Sequence, residues 1–376
     1  MIWLAIAALL SAAFPAVMFL RNLPWFMATP VTIDPDRQRS PVSVLIPARD
    51  EQSGIAAAID AATASVGVEV EVVVLDDHST DDTPKILAEK SAADARVRSQ
   101  TSEPLPPGWN GKQYACRQLA DLARYHTIVF IDADVRLSPD GLARMVDYRD
   151  QHDVALLSAF PNQVTGTVLE KAIIPMMHYI LLCFLPIDRM RQSTLPAYAS
   201  GCGQLFMTDK TAYAAAGTHA ALKGSRHDGL KLPRAYRLSD QSTDVIDGGT
   251  IATCRMYTSA GEVINGALKN AIEGIANPRV IVPFTVMLLG ATVLPVVALI
   301  ASMWTGDTLA IILSVVAILI SHLPRFIAAR KLDQSYLGAA LTIPATWLFV
   351  KLQWIALANY FTGRQIAWRG RTETAG

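Results

Sequence analysis

Cysteine is scarce and scattered in this chain. Four residues, Cys116, Cys183, Cys202 and Cys254, lie far apart with no Cys-x-x-Cys pair. That spacing argues against a metal or disulfide framework and suits a reducing compartment. No Gly-x-Gly-x-x-Gly run opens a helix, which argues against a dinucleotide cradle. Net charge is absent too: 33 Lys and Arg balance 33 Asp and Glu, and no nucleic-acid partner is expected. Charge is missing altogether from Met1 to Leu20, and about 20 apolar residues is what a helix needs to cross a bilayer core. The basic n-region and small-residue cleavage site of a secretory signal are also lacking. Residues 1–20 therefore read as a retained transmembrane anchor. Arg21, Arg37 and Arg39 follow it, and the positive-inside tendency places the next domain, 21–260, on the cytoplasmic side.

That domain repeats one pattern: an apolar strand, an acidic carboxyl end, a helix. Val42 to Ile46 reads as the first strand, running into the charged turn Pro47-Ala48-Arg49-Asp50-Glu51 and a helix over roughly 54–64. Val70 to Leu75 is a second buried strand and ends in Asp76-Asp77-His78-Ser79. Asp76 stands at the strand end itself, where a carboxylate can accept hydrogen bonds from a ribose or a base edge. Asp81 or Thr83 reads more simply as a helix cap. A turn-rich loop, Pro104 to Lys112, leads into a helix over roughly 113–124. Lys112 at that helix start conflicts with the macrodipole, which an anionic ligand would relieve; a solvated lysine is the competing reading. Thr127 to Ile131 is an apolar strand that stops at Asp132-Ala133-Asp134. A hard cation such as Mg²⁺ takes one or two carboxylates and fills its remaining positions with water and phosphate oxygens. A diphosphate held through a metal is the reading this suggests; the plainer one is that Asp132 caps a turn and Asp134 a helix near Pro139. A helix over 140–149 and a strand over 154–160 follow. The alternation argues for a doubly wound, mostly parallel α/β sheet.

Pro47-Ala48-Arg49-Asp50-Glu51, Asp76-Asp77-x-Ser79, Gly111-Lys112 and Asp132-Ala133-Asp134, in this order, resemble the membrane-bound family 2 glycosyltransferases of the GT-A fold. Gly108-Trp109-x-Gly111-Lys112 is most similar to the hopanoid-associated and carotenoid-type (diaponeurosporenoate) members. The resemblance covers about residues 40–275 and implies a GT-A sheet flanked by transmembrane helices. It implies that Pro47, Ala48, Arg49, Glu51, Asp76, Asp77 and Ser79 bind the nucleoside and that Lys112, Asp132 and Ala133 lie near the donor. Asp134, with Asp132, would coordinate Mg²⁺ or Mn²⁺ on the diphosphate of a UDP- or GDP-sugar. Ala199 to Met207 resembles the family's glycine-containing strand below the sugar pocket, and Ala216-Gly217-Thr218-His219 stands where Gly-Gly-His is frequent. The loop from Lys223 to Leu230 matches a segment that carries an acid pair in relatives. Here His227 replaces the first acid and Asp228 aligns with the general base, the group that takes the acceptor's proton. The Gln-x-x-Arg-Trp of processive synthases is missing, which favours a single transfer over polymerisation, and displacement from the back face in one step would invert the anomeric centre. Arg255, just past a strand over 250–254, suits phosphate oxygens or a structural salt bridge.

Residues 172–186 are apolar but short and interrupted by Pro175, which fits an interfacial or re-entrant segment. Residues 261–279 are amphipathic at helical spacing. Three membrane helices are expected over 280–304, 308–323 and 336–360, with a cytoplasmic loop carrying Arg325, Arg330 and Lys331 and a basic tail over 361–376. Lys351 within the last stretch is a functional candidate by default. The sequence thus reads as a multi-pass enzyme of the cytoplasmic membrane that moves one sugar to a lipid hydroxyl, isoprenoid-type by resemblance. Ceramide, diacylglycerol or polyprenyl phosphate are alternative acceptors. A nucleotidyltransferase and a transporter with a regulatory nucleotide-binding domain are the rival classes.

Overall fold

The computed structural model describes residues 1–269 and 271–363. Arg364, the Trp368-Arg369-Gly370-Arg371 ending and nearly all of the expected tail lie outside them. Two compact units make up the chain: Phe26–Val164 with Ile187–Met256, and Met1–Trp25 with Thr165–Pro186 and the chain from Tyr257 onward.

The first unit is built on eight strands: β1 Val42–Ala48, β2 Val70–Asp76, β3 Val97–Thr101, β4 Thr127–Ile131, β5 Val135–Leu137, β6 Leu156–Gln163, β7 Leu205–Asp209 and β8 Thr243–Cys254. Their order is β3-β2-β1-β4-β7-β6-β8-β5. β1 pairs in parallel with β2 and β4, β2 with β3, and β6 with β8; β7 runs antiparallel to β4 and β6, and β5 to β8. β2 and β4 are buried at every position, as strands covered on both faces must be. Alternation sorts their side chains. Val42, Val44, Ile46, Val72, Val74, Val129 and Ile131 join Ile55, Leu142 and Met145 in one core. Leu45, Val73, Leu75, Ile128 and Phe130 pack on the other face with Cys116, Leu119 and Tyr236. Strand order reverses between β1 and β4, so a crevice opens outside their carboxyl ends, next to that of β2.

Several expected boundaries shift. β1 runs on through Pro47 and Ala48, which were expected in the turn. Val42 N–H and Ala48 C=O both bond toward β2, so odd residues turn their backbone groups toward β4. β4 pairing stops at Leu45, and the N–H that Pro47 lacks has no partner to miss. The strand expected over 154–160 occupies Leu156–Gln163. The residues expected as a loop before Leu230 start a helix at Asp228, which runs to Leu238. β3 and the antiparallel insertion of β7 are additions that the sequence pattern does not announce.

The second unit is helical. Two of its helices, Ile2–Phe26 and Thr308–Lys331, are long and apolar enough to cross a membrane; Ile281–Thr292 and Leu294–Thr305, bent by 50°, make a third if they form one span. Ala8 and Ala12 meet Ala298 and Ala317 in a small-residue cluster, the packing that lets apolar helices approach closely. The expected segment 172–186 divides into Val168–Ile173 and Met176–Phe184. The first carries a capping box between Thr167 and Glu170. The expected loop from Arg325 is instead helical through Lys331. Arg325 is buried, and its guanidinium donates to the carbonyls of Lys171, Ala172 and Gly338, so a charge read as solvated is satisfied by backbone. The stretch expected over 336–360 breaks at Leu341 into Tyr336–Ala340 and Thr342–Phe361. Lys351 is exposed there, its Nζ 5.3 Å from the centre of the Trp347 ring.

Candidate functional site

Two loops close the crevice at the ends of β1 and β2. Ala48 C=O accepts from Asp77 N–H at 2.8 Å, and Asp76 C=O from Ser102 N–H at 2.8 Å. Asp76 Oδ1 accepts from Ser79 N–H at 3.1 Å. Arg49 Nη1 donates to Asp77 C=O at 2.6 Å and lies 3.8 Å from its carboxylate. Asp50, at a φ of 52°, donates its N–H to Ser79 Oγ at 2.9 Å and accepts from Thr80 N–H at 2.7 Å. Glu51 N–H donates to Thr83 Oγ1 at 2.9 Å. Asp81 accepts from both Gln52 N–H and Thr83 N–H, the capping task its position suggested. Asp76 and Asp77 are each only 6% exposed. Pro47, Ala48, Arg49, Glu51, Asp76, Asp77 and Ser79 are thus brought together as one cross-tied pair of loops.

The second cluster forms where β4 ends. Asp132-Ala133-Asp134 spans the turn from β4 to β5, closed by Val135 N–H on Asp132 C=O at 3.0 Å. Arg136 fixes it from the side, donating to Ala133 C=O at 2.8 Å and to Gly54 C=O at 2.9 Å. Lys112 reaches this turn from the first turn of the helix Gly111–Leu122, whose N-cap Asn110 accepts from Lys112 N–H. Its Nζ lies 2.6 Å from Asp132 Oδ1 and 2.8 Å from Asp228 Oδ2, and it donates to Gly203 C=O at 3.3 Å. The awkward charge at that helix start is therefore met by two carboxylates of the protein itself. Asp228 is 9% exposed and stands at a helix start, beneath the turn Gly201-Cys202-Gly203. That turn needs its glycines: a Cβ on Gly203 would lie 2.0 Å from Asp228 Oδ1.

One ammonium here faces two carboxylates, those of Asp132 and Asp228, and that of Asp134 adds its charge beside Asp132. Burial, together with the charges of Asp134 and Asp228, pushes Asp132 up to about 7 against the pull of Lys112. Burial would raise Asp228 as well, but Lys112 and the imidazoles of His219 and His227 hold it below the usual carboxylate range. Lys112 itself, though desolvated, is held well above its ordinary value by Asp132 and Asp228. His219 is buried, bonded through Nδ1 to Tyr213 Oη at 2.6 Å and set edge-on to Phe130; burial lowers it to about 3.

No set of three or more His, Cys, Asp or Glu side chains among the described residues is arranged to hold a metal ion by itself. Asp134 Oδ1, however, is buried without a hydrogen-bond partner among the described residues. Two strand-end carboxylates with unfilled oxygen capacity fit a hard cation that takes its other ligands from water and phosphate. Arg255 is exposed and directly follows the last residue of β8. Sequence reasoning missed Gln204, Gln163 and Cys254, which lie under the acidic turn. The signal for Gln204 was a polar side chain amid the buried apolar run around Leu205 and Phe206.

Residues 43–213 match the sequence model described as glycosyl transferase family 2. The chain is 27% identical over 258 residues to the 4,4'-diaponeurosporenoate glycosyltransferase of Staphylococcus aureus strain USA300, a match covering 66% of each protein and thus just under two thirds of the relative's length. The protein of strain MRSA252 bearing the same name is 26% identical over the same span. Among solved structures, the mannosyltransferase PcManGT of Pyrobaculum calidifontis, in complex with GDP-Man and Mn²⁺, superposes with a TM-score of 0.54 at 17% identity. That superposition covers 96% of this chain and 99% of the other, a likeness of fold.

Proposed function

We infer, from the premise that this chain is a family 2 glycosyltransferase through residues 43–213, that it transfers one sugar from a nucleotide-sugar donor to a hydroxyl on a membrane lipid, with inversion. The observation that carries this reading is Lys112 held between Asp132 and Asp228 at the carboxyl end of β4. The cross-tied loops at β1 and β2 take the nucleoside, with Asp76 at the ribose or base and Arg49 holding the loop of Asp77. Asp132 and Asp134 hold a divalent cation, Mg²⁺ or Mn²⁺, which when bound stabilises charge on the departing diphosphate. Arg255 takes a diphosphate oxygen from the far strand.

Lys112 neutralises Asp228 while the crevice is empty. A diphosphate competes for the ammonium, and the Asp228 carboxylate is then able to accept a proton. The acceptor oxygen attacks the anomeric carbon, and its proton passes to Asp228. The bond from that carbon to the diphosphate oxygen breaks, its electron pair leaving with the nucleoside diphosphate. A single displacement of this kind inverts the centre.

Several features support a lipid acceptor. A lipid confined to the bilayer reaches the enzyme at high local concentration, and apolar helices long enough to span are present. The name of the S. aureus relative supports an isoprenoid of carotenoid type, and a hopanoid rests on the resemblance of Gly108-Trp109-x-Gly111-Lys112 alone. Arg21 near the end of the first helix, and Arg37 and Arg39 after it, support a multi-pass topology with the sheet on the cytoplasmic side.

The test is Asp228→Asn in purified full-length protein. Turnover should fall about 10²- to 10⁴-fold while UDP- or GDP-sugar affinity stays near wild type. Equal turnover in the variant would remove Asp228 as the base. Lipid mass spectrometry of cells with and without the chain identifies the product. Donor binding that survives both chelation and a double Asp132→Asn, Asp134→Asn change would remove the cation.

A further inference from the structure

The helix Thr342–Phe361 carries its apolar residues outward. Trp347, Lys351, Trp354, Ile355, Ala358 and Phe361 are exposed and recur at helical spacing, so they form one stripe. Thr342, Thr346 and Gln353 are buried on the opposite face. A helix beside water shows the reverse arrangement, and the outward stripe suits lipid. Yet this helix is not among those long and apolar enough to cross a membrane. Lys351 stands at its middle, where a crossing would carry the ammonium to the centre of the bilayer at a steep cost. Its Nζ instead rests 5.3 Å from the centre of the exposed Trp347 ring, an ammonium on an aromatic face.

The neighbours decide how the helix lies. Ala345 shares a cluster with Ala172, Ile173 and Val263, and further along Ala356 meets Ala271 and Ala276. Val263, Ala271 and Ala276 belong to one stretch, a helix over Ala260–Lys269 followed by a short turn over Ala271–Glu273. The two chains advance along each other in the same direction. That stretch carries Glu262, Lys269 and Glu273 and is amphipathic, as helices lying on a bilayer surface are. Trp354 Nε1 donates to Thr285 Oγ1 at 3.0 Å, near the start of Ile281–Thr292. Thr342–Phe361 therefore runs beside a surface segment and touches the bent apolar pair where that pair begins.

We propose that Thr342–Phe361 lies in the plane of the membrane interface, with Trp347 and Trp354 at the level of the headgroups and Lys351 reaching a phospholipid phosphate. Tryptophan favours that layer, and a lysine stem lies along apolar surface while its ammonium stays in polar surroundings. This replaces the crossing expected over 336–360 and removes a conflict of charge. A crossing would put Arg364, Arg369 and Arg371 across the membrane from Arg330 and Lys331; an in-plane helix keeps them on one side, as the positive-inside tendency favours. The proposal rests on the reading that the helical unit is embedded in a bilayer, and not on the chemistry of transfer.

The experiment uses the full-length protein in sealed vesicles of phosphatidylcholine and phosphatidylglycerol. The four native cysteines are buried, so Trp347→Cys, Lys351→Cys, Trp354→Cys and Ala358→Cys each take a nitroxide label at the chosen position. Depth is read from the accessibility of each label to oxygen and to a water-soluble nickel chelate. The labels should all lie at one depth, close to the phosphates. A helix rises about 1.5 Å per residue, so a crossing would separate positions 347 and 358 by roughly 16 Å. A gradient of that size overturns the proposal, and so do labels that all sit in bulk water. Sidedness gives an independent reading through Lys331→Cys and Gly376→Cys, treated with a membrane-impermeant maleimide. Both should react from the same side; reaction from opposite sides overturns the proposal. Loss of the transferase reading through Asp228→Asn would leave both readouts as they are, so the two ideas fail separately.

Discussion

On the side of the crevice proposed for the nucleoside, the loops after β1 and β2 exchange backbone and side-chain hydrogen bonds: Asp50 with Ser79 and Thr80, Glu51 with Thr83, Arg49 with Asp77. On the acid side, one ammonium is shared by two carboxylates and a third stands beside them with a buried oxygen unfilled. The first region is finished before any ligand arrives. The second holds more acids than bases, and on the proposed reading a cation and a diphosphate would rebalance it. On the proposed reading the difference concerns where binding energy would go: the loops after β1 and β2 would take the nucleoside without reorganisation, whereas the donor would rearrange the ion pairs of Lys112.

The comparison breaks most visibly at Gly203. Adding a methyl there drives into Asp228 Oδ1, and displacing a reacting group by about an ångström costs on the order of 100-fold in rate. Gly203→Ala should therefore lose turnover by about that factor, with donor affinity retained; a steady-state kcat beside donor affinity from calorimetry separates the two. On the finished side the expected change is smaller. Ser79→Ala removes the acceptor for Asp50 N–H, a loss of about 1 kcal/mol for one hydrogen bond, and nucleotide affinity rather than kcat should carry it. An equal fall in kcat would show that the two halves are coupled.

The smallest effect concerns Glu71, in β2 at the opposite end of the sheet from the crevice. Burial alone would raise its pKa, but Ser43 Oγ, Arg124 N–H and Arg98 hold the carboxylate below its ordinary value of 4.5. A folded-state value below the unfolded one adds stability that is complete above about that pH and disappears as pH falls through the folded value. Thermal midpoints of wild type should drop on acidification below 4.5, and Glu71→Gln should flatten that limb while leaving donor affinity and turnover alone.

What could be read from the sequence was local. Asp76 and Asp132 end apolar runs, and a strand end is written in consecutive residues, so both were legible along with the doubly wound pattern. Lys112 was legible as an oddity, yet its partners come from β4 and from the helix at Asp228, and no local pattern encodes that meeting. The contact of Gln204 with Cys254 was invisible for the same reason: the two come from distant parts of the chain. Arg325 shows the converse failure. A charge after an apolar stretch reads as a loop under any hydropathy rule, but here it is buried because carbonyls of two other segments receive it. The antiparallel insertion of β7 depends on pairing partners, which periodicity cannot choose.

The interruption of the sheet unit by residues 165–186, which belong to the helical unit, has a bearing on biosynthesis. β1, β2 and β4 emerge from the ribosome before that detour, and β7, which must slot between β4 and β6, emerges after it. A nascent chain stopped at Val164 has already made the ends of β1 and β2 but lacks Gly203 and Asp228. The loops proposed to take the nucleotide can mature early, while the residues proposed to carry out the transfer wait until the detour has been made and the polypeptide has come back.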